Sequence, residues 1–235
     1  RIVDQNGDFN PQNVTGPYYN LLTPMKKVQI SATYSSVTYP IFQGFITSYV
    51  TTYPDESGED VAITTIQAVD AFRLATLAQI STVTGATAGD LSGTRVNQIL
   101  DQIGWPSGMR DVDAGLTTLQ ADPGTNRTSL QALQTATDSE YGSLYVNASG
   151  SFVFQDRSVT AGSVGGTSTV FADNGTGIDY FDATWILNDI LIFNKATITR
   201  ASGSPQVASN QDSIDKYFLH SYFLDNLLMQ TDAVA

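Results

Sequence analysis

The first residues of this 235-residue chain have the alternation of a calcium-binding loop. Asp4, Asn6 and Asp8 lie two residues apart, as the first ligands of an EF-hand loop do. Such a loop requires glycine at its sixth position and glutamate at its twelfth, where this chain has Phe9 and Thr15. The Asn-Gly dipeptide in the same segment is a strong signal for a tight hairpin turn. The sequence therefore predicts a hairpin turn at this point and no metal ligands.

His220 is the only imidazole that catalysis or metal binding could use. Because the chain has no cysteine, a zinc site would depend on carboxylates around one imidazole, which is an uncommon ligand set. Serine and aspartate are abundant enough to compose a Ser-His-Asp triad, but no G-x-S-x-G motif singles out a nucleophile. We interpret His220 as a partly buried or surface residue in a strand.

Asp111 and Asp113 are the remaining candidates for acid/base chemistry. Catalytic carboxylate pairs need contrasting environments within a cleft, and the sequence indicates a short solvated loop instead. Residues 162–166 are rich in glycine, but they lack the strand-to-helix context of a phosphate-binding loop. The sequence predicts no catalytic residue, no cofactor and no metal, and it indicates a protein that is not an enzyme.

Polar loops account for the other conspicuous motifs. N-x-[ST] sequons occur at Asn13, Asn126, Asn147 and Asn174, and such matches arise by chance in chains rich in asparagine and threonine. We interpret all four as loop positions. The eleven tyrosines could form a sugar-binding surface or a protein interface, and the interface is the simpler interpretation.

Composition excludes several classes of function. The formal net charge is −12, from 23 acidic and 11 basic residues, and no basic patch is present to hold nucleic acid by its phosphates. An acidic protein can still lie beside DNA that must slide past it without binding. No apolar run approaches the ~18 residues of a membrane span. The absence of cysteine excludes disulfides. Because the sequence starts at Arg1 and ends at Ala235, we expect it to be a segment of a longer gene product.

Residues 128–157 change their hydrophobic period midway. Leu130, Leu133 and Ala136 recur at helical spacing, and after residue 142 apolar residues alternate on both sides of a turn at 147–150. The pattern predicts a helix at about 129–140 that covers a hairpin at about 143–157. It contains no reactive group.

The sequence before this segment is strand-forming. Alternating residues predict strands at 28–34 and 37–53, which are joined at Ser35-Ser36, with an edge or a bulge at Pro40. After the acidic loop 55–60, a strand is predicted at 61–69, and Asp70 is the expected N-cap of a short helix.

The rest of the chain alternates between connections and elements. Residues 81–93 are predicted to be a linker, and Ser92 or Thr94 is the expected cap of a helix at about 93–103. The glycine- and serine-rich segment 162–169 is predicted to be a second connecting loop. The final third is β-rich, with a long strand-forming run at 190–200, a helical turn at 213–217 and a helix expected from 224 to the end.

These elements predict a mainly β fold with an α+β insertion. Two small β-barrel or sandwich modules, at 1–80 and 161–235, flank a helix–helix–hairpin module at 81–160. The second β module is expected to continue beyond the given segment.

The order of several segments resembles the tail-tip or minor tail proteins of siphophages, especially those that infect actinobacteria. In that family a turn of the form DN-x-D-G-x-F-x-P precedes PYY-x-N-x-x-P and a Y-P-L-F-x-G-Y-V-like strand pair. Here the matching segments are DQNGDFNPQN (4–13), GPYYNLLTPMKKVQISATY (16–34), YPIFQGFITSYVTTYP (39–54), AVDAFRLA (68–75), ILDQIGWPSGMRDVDAGLTTLQ (99–120), SLQALQTATDSEYGSLYVNASGSFVFQDR (129–157) and LNDILIFNKATITRASGSPQVASNQDSIDKYF (187–218).

The resemblance implies a baseplate hub similar to the central hub of contractile tails. Such hubs are rings, usually trimers, in which each chain supplies two related β-barrel domains with an α/β insertion. The implied partners are further copies of the chain, the tail tube, the tape measure protein and distal tail proteins or fibres, with DNA only in transit. The implied location is the virion tail tip, after synthesis in the host cytoplasm. No catalytic residue comes with the resemblance.

Other interpretations stay open at this stage. A hexameric distal-tail ring uses related barrels, although two barrel modules in one chain favour a trimer. A receptor- or carbohydrate-binding adhesin module would use exposed tyrosine and tryptophan side chains. A cell-wall hydrolase would depend on His220 or on Asp111 and Asp113.

Overall fold

We analysed a computed structural model, which describes residues 1–4, 6–53, 62–159, 170–184, 186 and 188–234. The predicted acidic loop 55–60 and the connection 162–169 lie outside the described residues. The elements, in chain order, are β1 (Ile2–Asp4), β2 (Lys27–Tyr34), β3 (Val37–Thr52), β4 (Ala62–Val69), α1 (Ala71–Leu77), β5 (Gln79–Ile80), α2 (Ser92–Gln102), β6 (Arg110–Val112), β7 (Arg127–Thr128), α3 (Ser129–Glu140), β8 (Ser143–Val146), β9 (Phe152–Gln155), β10 (Lys195–Arg200), β11 (Gln206–Ser209), α4 (Gln211–Tyr217) and β12 (Ser221–Leu227). The mainly β fold class with some helices is confirmed.

The first sheet has the strand order β1-β4-β3-β2 and is antiparallel throughout. Strand β3 is 16 residues long; its first half pairs with β2, and residues 45–52 pair with β4. The register shifts where Ile30 faces Phe42 and Ser31 faces Pro40, which leaves Ile41 as an extra residue. The bulge predicted at Pro40 is therefore confirmed. Its physical reason is that proline has no amide hydrogen to donate to the ladder.

The chain reverses between β2 and β3 through Ser35 and Ser36. Both residues have positive φ, 48° and 65°, and Tyr34 pairs with Val37. This two-residue connection is the hairpin turn in which both central residues are left-handed, a geometry that favours Asn-Gly and costs serine some free energy.

Replacing Ser35-Ser36 with Asn-Gly is expected to stabilise the β2–β3 hairpin by about 0.5–1 kcal/mol, because these residues adopt positive φ with less strain. Slower hydrogen exchange of the β2 and β3 amides would be the readout. Ser36→Val serves as the control: its branched side chain resists positive φ, so it should accelerate exchange. Equal exchange rates in all three proteins would contradict the prediction.

The turn near the N-terminus forms, but it does not join a hairpin. Gly7 has a φ of 68°, and its amide donates to the carbonyl of Asp4. The strand before the turn, β1, pairs with β4 rather than with the next strand along the chain. The predicted hairpin is thus wrong, since the partner strand lies some 60 residues away, at Ala62–Thr64.

The main hydrophobic core lies between the helices and the β8–β9 hairpin. Helix α2 buries Val96, Ile99 and Leu100, helix α3 buries Leu133 and Ala136, and the hairpin buries Phe152 and Phe154. The helical and two-residue periods read from the sequence therefore meet in one core, and the helix–hairpin prediction for 129–157 is confirmed.

Aromatic rings join the first sheet and α1 to this core, and the ring of Phe45 in β3 meets that of Trp105 with centroids 6.3 Å apart. The rings of Trp105 and Phe152 meet edge to face with centroids 5.1 Å apart, and Phe72 of α1 meets Phe152 at 5.6 Å. Asp70 accepts from the Phe72 amide and caps α1, as the sequence predicts. Helix α1 belongs to the predicted first module, which ends at residue 80, but it packs on the middle segment. The division of the chain into three modules therefore stays a prediction.

Helix α2 begins without a side-chain cap. Its N-cap is Leu91, and the hydroxyl of Ser92 donates instead to the buried carboxylate of Glu140 at 2.6 Å. The prediction that Ser92 or Thr94 caps this helix is therefore wrong. The Ser92 hydroxyl forms its hydrogen bond with a residue that is distant in sequence and not with the first turn of the helix. At the other end, Gly104 has the positive φ expected of a helix stop.

The predicted linker at 81–93 is a loop that α2 holds in place. The side chain of Gln102 accepts from the Thr84 amide and donates to the carbonyl of Thr82, and Gln98 donates to the carbonyl of Gly85. These side chains satisfy backbone groups of the loop, so the segment is anchored along the length of the helix.

Arg95 of α2 is the largest fully buried side chain, with 1% of its surface exposed. Its guanidinium donates to the carbonyls of Thr87 and Gln120 and lies 3.6 Å from Asp90. Burial lowers the pKa of Arg95, whereas the nearby carboxylates of Asp122 and Asp90 raise it. The buried cation is partly compensated by these acceptors and by the Gln98 side chain, whereas its Nη1 atom has no hydrogen-bond partner.

Asp111 belongs to a strand rather than to a solvated loop. Strand β6 runs parallel to β9, with Asp111 opposite Val153, and so extends the β8–β9 hairpin to three strands. The loop prediction is therefore wrong for residues 110–112, because these residues gain a strand partner some 40 residues away, and it is confirmed for residues 113–115.

The second sheet has the order β11-β10-β12, with β10 and β12 parallel and α4 in the connection between β11 and β12. The helical turn predicted at 213–217 is confirmed within α4. The helix predicted from 224 onward is wrong: β12 continues to Leu227, and Asp232–Val234 forms a single 3-10 turn. Parallel pairing to β10 overrides the local helical preference of this segment.

Candidate assembly surfaces

The residues with a calcium-like spacing form a turn. Both carboxylate oxygens of Asp4 accept backbone amides, from Asp8 at 2.7 Å and from Phe9 at 2.8 Å. A carboxylate used in this way holds the turn together. Among the described residues there is no group of three or more histidine, aspartate or glutamate side chains that could hold a metal ion.

The acid/base candidates have structural partners of their own. The carboxylate of Asp113 accepts from the Asp156 amide at 3.1 Å, and Asp111 is exposed on its strand. His220 lies one residue before β12, where its ring nitrogen Nε2 is 2.9 Å from the carbonyl of Tyr217. Within the described ranges, no hydrogen bond or ion pair joins His220 to Asp111 or Asp113.

The sequons form local turns. In Asn13, Asn147 and Asn174, the side-chain oxygen accepts both the amide and the hydroxyl of the serine or threonine two residues later, at 2.6–3.2 Å. Asn126 also lies outside strands and helices. The loop prediction is therefore confirmed for all four, and the turn geometry gives a physical reason for the N-x-[ST] pattern.

No helix in the described ranges has the length and apolar character that crossing a bilayer requires.

The first surface that stands out is one side of the ribbon, by which we mean β2 and the part of β3 paired with it, residues 27–44. Directly opposed residues of an antiparallel pair lie on the same face. The pairs Ala32–Tyr39 and Tyr34–Val37, together with Ile30, therefore share one face. Tyr34 is 76% exposed and the other large side chains of this face about half exposed. We call these five residues the apolar face of the ribbon.

The opposite face of the ribbon is polar. It carries Ser31, Thr33 and Thr38, and the two threonine hydroxyls are hydrogen-bonded at 3.0 Å. The ribbon is thus amphipathic, and both of its faces are exposed over residues 29–41, whereas Gln43 and Gly44 are buried. An isolated two-stranded ribbon is marginally stable in water, so an uncovered apolar face on one indicates a contact with another molecule.

Charge is missing from this region. Residues 28–54 contain no aspartate, glutamate, lysine, arginine or histidine, in a chain with 34 charged side chains of the first four types. Within the described residues β2 pairs only with β3, so its other edge is free. Free edges are commonly protected from unwanted pairing by charges, and β2 has only Lys27 at its start.

The second surface is a groove on the second sheet. Ala196 and Ile198 of β10 are directly opposite Tyr222 and Leu224 of β12, so all four side chains share one face. Two adjoining clefts of about 430 and 340 Å³ lie over this face and have Tyr141, Ala196 and Tyr222 in common. We call this face and its borders the groove.

One border of the groove is the C-terminal end of α3. Tyr141 follows the helix with a φ of 58° and is 60% exposed, and Asp138 and Arg157 line the same cleft. The left-handed position after a helix favours glycine or asparagine, so a tyrosine there is strained. An exposed ring at a strained position makes Tyr141 a candidate contact residue of the groove.

Replacing Tyr141 with asparagine is expected to raise the free energy of unfolding by about 0.5–1 kcal/mol, because asparagine tolerates the left-handed conformation better. Urea unfolding would measure the change. Tyr141→Phe retains the strain and serves as the control, with no gain expected. A loss of stability in Tyr141→Asn would show that packing of the ring outweighs the strain.

The two asparagines at the other end of the groove already have hydrogen-bond partners. Asn194 donates to the carbonyl of Phe218 and accepts from the His220 amide, and Asn210 caps α4 by accepting from the Ser213 amide. Sugar recognition needs polar groups that are available to hydroxyls. The groove therefore offers mainly apolar surface.

Neither surface was identified from the sequence. The uncharged stretch 28–54 was a visible signal for the first surface. The groove combines residues from β10, β12 and the end of α3, and no local pattern predicts that combination.

Comparison with known proteins gives a fold likeness only. No protein-family model matches the chain, and no curated protein matches its sequence. Its structure is similar to the 43 kDa tail protein of prophage MuSo2 from Shewanella oneidensis, with a TM-score of 0.50 and 14% identity over 91% of this chain and 60% of that one. A tail protein from Neisseria meningitidis MC58 gives 0.49 and 11% over 88% of this chain and 59% of that one. The chain thus spans about 60% of the length of these proteins, and it shares the fold of the Shewanella protein.

Proposed function

We propose that this chain is a structural component of a bacteriophage tail. The observation that carries the proposal is the fold likeness to a prophage tail protein along 91% of the chain. The residue-level resemblance to siphophage minor tail proteins supports it independently. The protein acts by assembly and not by chemistry, as a part of the virion that is made in the host cytoplasm.

Within the tail, the proposed position is the central hub of the tip. The hub joins the tail tube to distal host-recognition proteins and contacts the tape measure protein and other minor tail proteins or fibres. The exposed apolar face of the ribbon and the groove support self-association into a ring. Modules at 1–80 and 161–235 separated by an insertion at 81–160 favour a trimer, because two β modules per chain would present six to a sixfold tube; a hexamer is the alternative.

The proposed ring lets DNA pass through its centre. With a net charge of −12, the protein repels the phosphate backbone and does not retain it. The lumen is accordingly expected to be acidic, and a basic lumen would contradict this part of the proposal.

A nonsense mutation in the gene within a phage genome tests the function. Particles without complete tails are expected, and they should be rescued by the wild-type gene and equally by a His220→Ala gene. Normal tails that fail only to adsorb would favour a receptor- or carbohydrate-binding adhesin. Intact tails with loss of rescue by His220→Ala and loss of cell-wall hydrolysis would favour an enzyme.

Cryo-electron microscopy of the tail tip tests the position. A ring on the tail axis, with density for this fold and three copies, is the expected result. Peripheral copies away from the axis would contradict the hub assignment.

A further inference from the structure

We propose that the groove of one copy receives the apolar face of the ribbon of a second copy. The inference rests on the proposed self-association and adds the two surfaces that form the contact. The occupant is thus another molecule of this chain, which presents Tyr34, Val37 and Tyr39 to the face formed by Ala196, Ile198 and Tyr222.

The two surfaces are matched in kind. The ribbon presents two tyrosines and three aliphatic side chains on one exposed face. The groove has an apolar floor, two clefts of about 430 and 340 Å³, and the rings of Tyr141 and Tyr222. Because aromatic side chains each bury about 150–250 Å², the apolar face of the ribbon can contribute on the order of 500 Å² of the ~800 Å² that each partner supplies to a standard interface.

Charge favours this pairing over others. Two copies with a net charge of −12 repel each other wherever acidic surfaces approach. The ribbon carries no charge between residues 28 and 44, and residues 190–210, which supply β10 and β11, contain Lys195 and Arg200 but no carboxylate. Arg200 is ion-paired with Asp232, and Asp138 and Arg157 line the groove together, so the groove has no acidic excess. The contact therefore joins the uncharged part of one copy to a part of the next that does not repel it.

The proposed contact joins different surfaces, so it is heterologous. Each copy offers one ribbon and one groove, and repetition of the contact builds a closed ring or an open chain of copies. A closed ring is the arrangement required by a hub.

The left-handed Tyr141 has a role in this arrangement. Its ring lines both clefts of the groove and, in the proposed contact, packs against the ribbon of the neighbour. Tyr141→Asn should therefore weaken self-association while it stabilises the single chain, a combination that a merely structural tyrosine would not produce.

A mixing experiment tests the contact on the whole chain. Tyr39→Glu places a charge on the ribbon, and Ala196→Glu places one in the groove. Each variant alone is expected to weaken self-association at least ~30-fold, as the loss of an interface hot spot does. A 1:1 mixture should form heterodimers but no rings, because only the intact ribbon of one variant and the intact groove of the other can pair. Thr38→Glu, on the polar face of the ribbon, is the matched control and should leave rings intact.

Native mass spectrometry resolves these species. Rings that survive Tyr39→Glu, a mixture that stays monomeric, or a wild-type chain that is monomeric at all concentrations would each overturn the inference. An imaged hub whose copies meet through other surfaces would overturn it as well, while leaving the proposed function intact.

A cross-linking measurement applies even where a variant folds poorly. A photoreactive phenylalanine at position 39, in a mixture of light and heavy isotope-labelled chains, should yield inter-chain products with residues 195–200 or 221–229. The same group at position 38 should yield none. Products only within one chain, or with other segments, would contradict the contact.

Discussion

Replacing Glu140 with alanine is expected to lower the free energy of unfolding by about 3–5 kcal/mol, among the largest effects in the chain. The side chain is fully buried at the end of α3. Its Oε2 atom accepts from the Ser92 hydroxyl at 2.6 Å, the Thr117 amide at 2.8 Å and the Leu116 amide at 3.0 Å. Alanine would leave three donors without an acceptor inside the protein. Urea unfolding would measure the loss.

Two further variants separate the contributions at Glu140. Glu140→Gln keeps an oxygen for the three donors but removes the charge that faces Arg157, 3.7 Å away, so a smaller loss of about 1–2 kcal/mol is expected. Ser92→Ala removes one donor, and its effect should be largely absent in the Glu140→Ala background. A free energy of unfolding of Glu140→Ala within about 1 kcal/mol of the wild-type value would contradict the prediction.

This cluster also has a consequence for the groove. Glu140 immediately precedes Tyr141, and it ties the end of α3 to α2 and to residues 116–117. Anchoring the helix end fixes the direction in which the Tyr141 ring leaves it. The most buried carboxylate of the core thus supports the wall of the proposed assembly surface.

Gly93→Ala is expected to destabilise the protein by about 3 kcal/mol or more. Alanine is normally favoured over glycine within a helix, by about 1 kcal/mol in the interior, and Gly93 is the second residue of α2. At Gly93, however, an added methyl group would overlap the carbonyl oxygen of Asp113 and lie 2.7 Å from that of Ala114. Both contacts are with backbone, and the Gly93 amide donates to the same Ala114 carbonyl at 3.0 Å. Neither side can withdraw without breaking this bond.

Gly108→Ala is the matched control, because no atom lies within 4 Å of the methyl group it would add. We expect it to unfold at the wild-type urea midpoint or slightly above it. If Gly93→Ala proved as stable as Gly108→Ala, the close approach of the helix to residues 113–114 would not be present in solution.

The candidate surfaces were partly foreseeable. The lack of charge in residues 28–54 can be read directly, and alternation with the Pro40 bulge predicts an apolar ribbon face. Whether that face is buried depends on what packs against it, and a strand pattern carries no such information. The groove could not be predicted from the sequence, because its floor requires the parallel pairing of β10 with β12, which α4 separates along the chain.

What the sequence by itself determined was local. Helical spacing placed α2 and α3, two-residue alternation placed β2, β3, β8 and β9, and Asp70, Gly104 and Asn147 marked caps and turns, because these signals act within a few residues. The tertiary structure alone decided which strands meet: β1 with β4, β6 with β9 and β10 with β12. It also turned the Ser92 hydroxyl from the expected cap to Glu140, 48 residues away. Such choices depend on burial and on partners distant in sequence, whose combined free energy exceeds that of local preference.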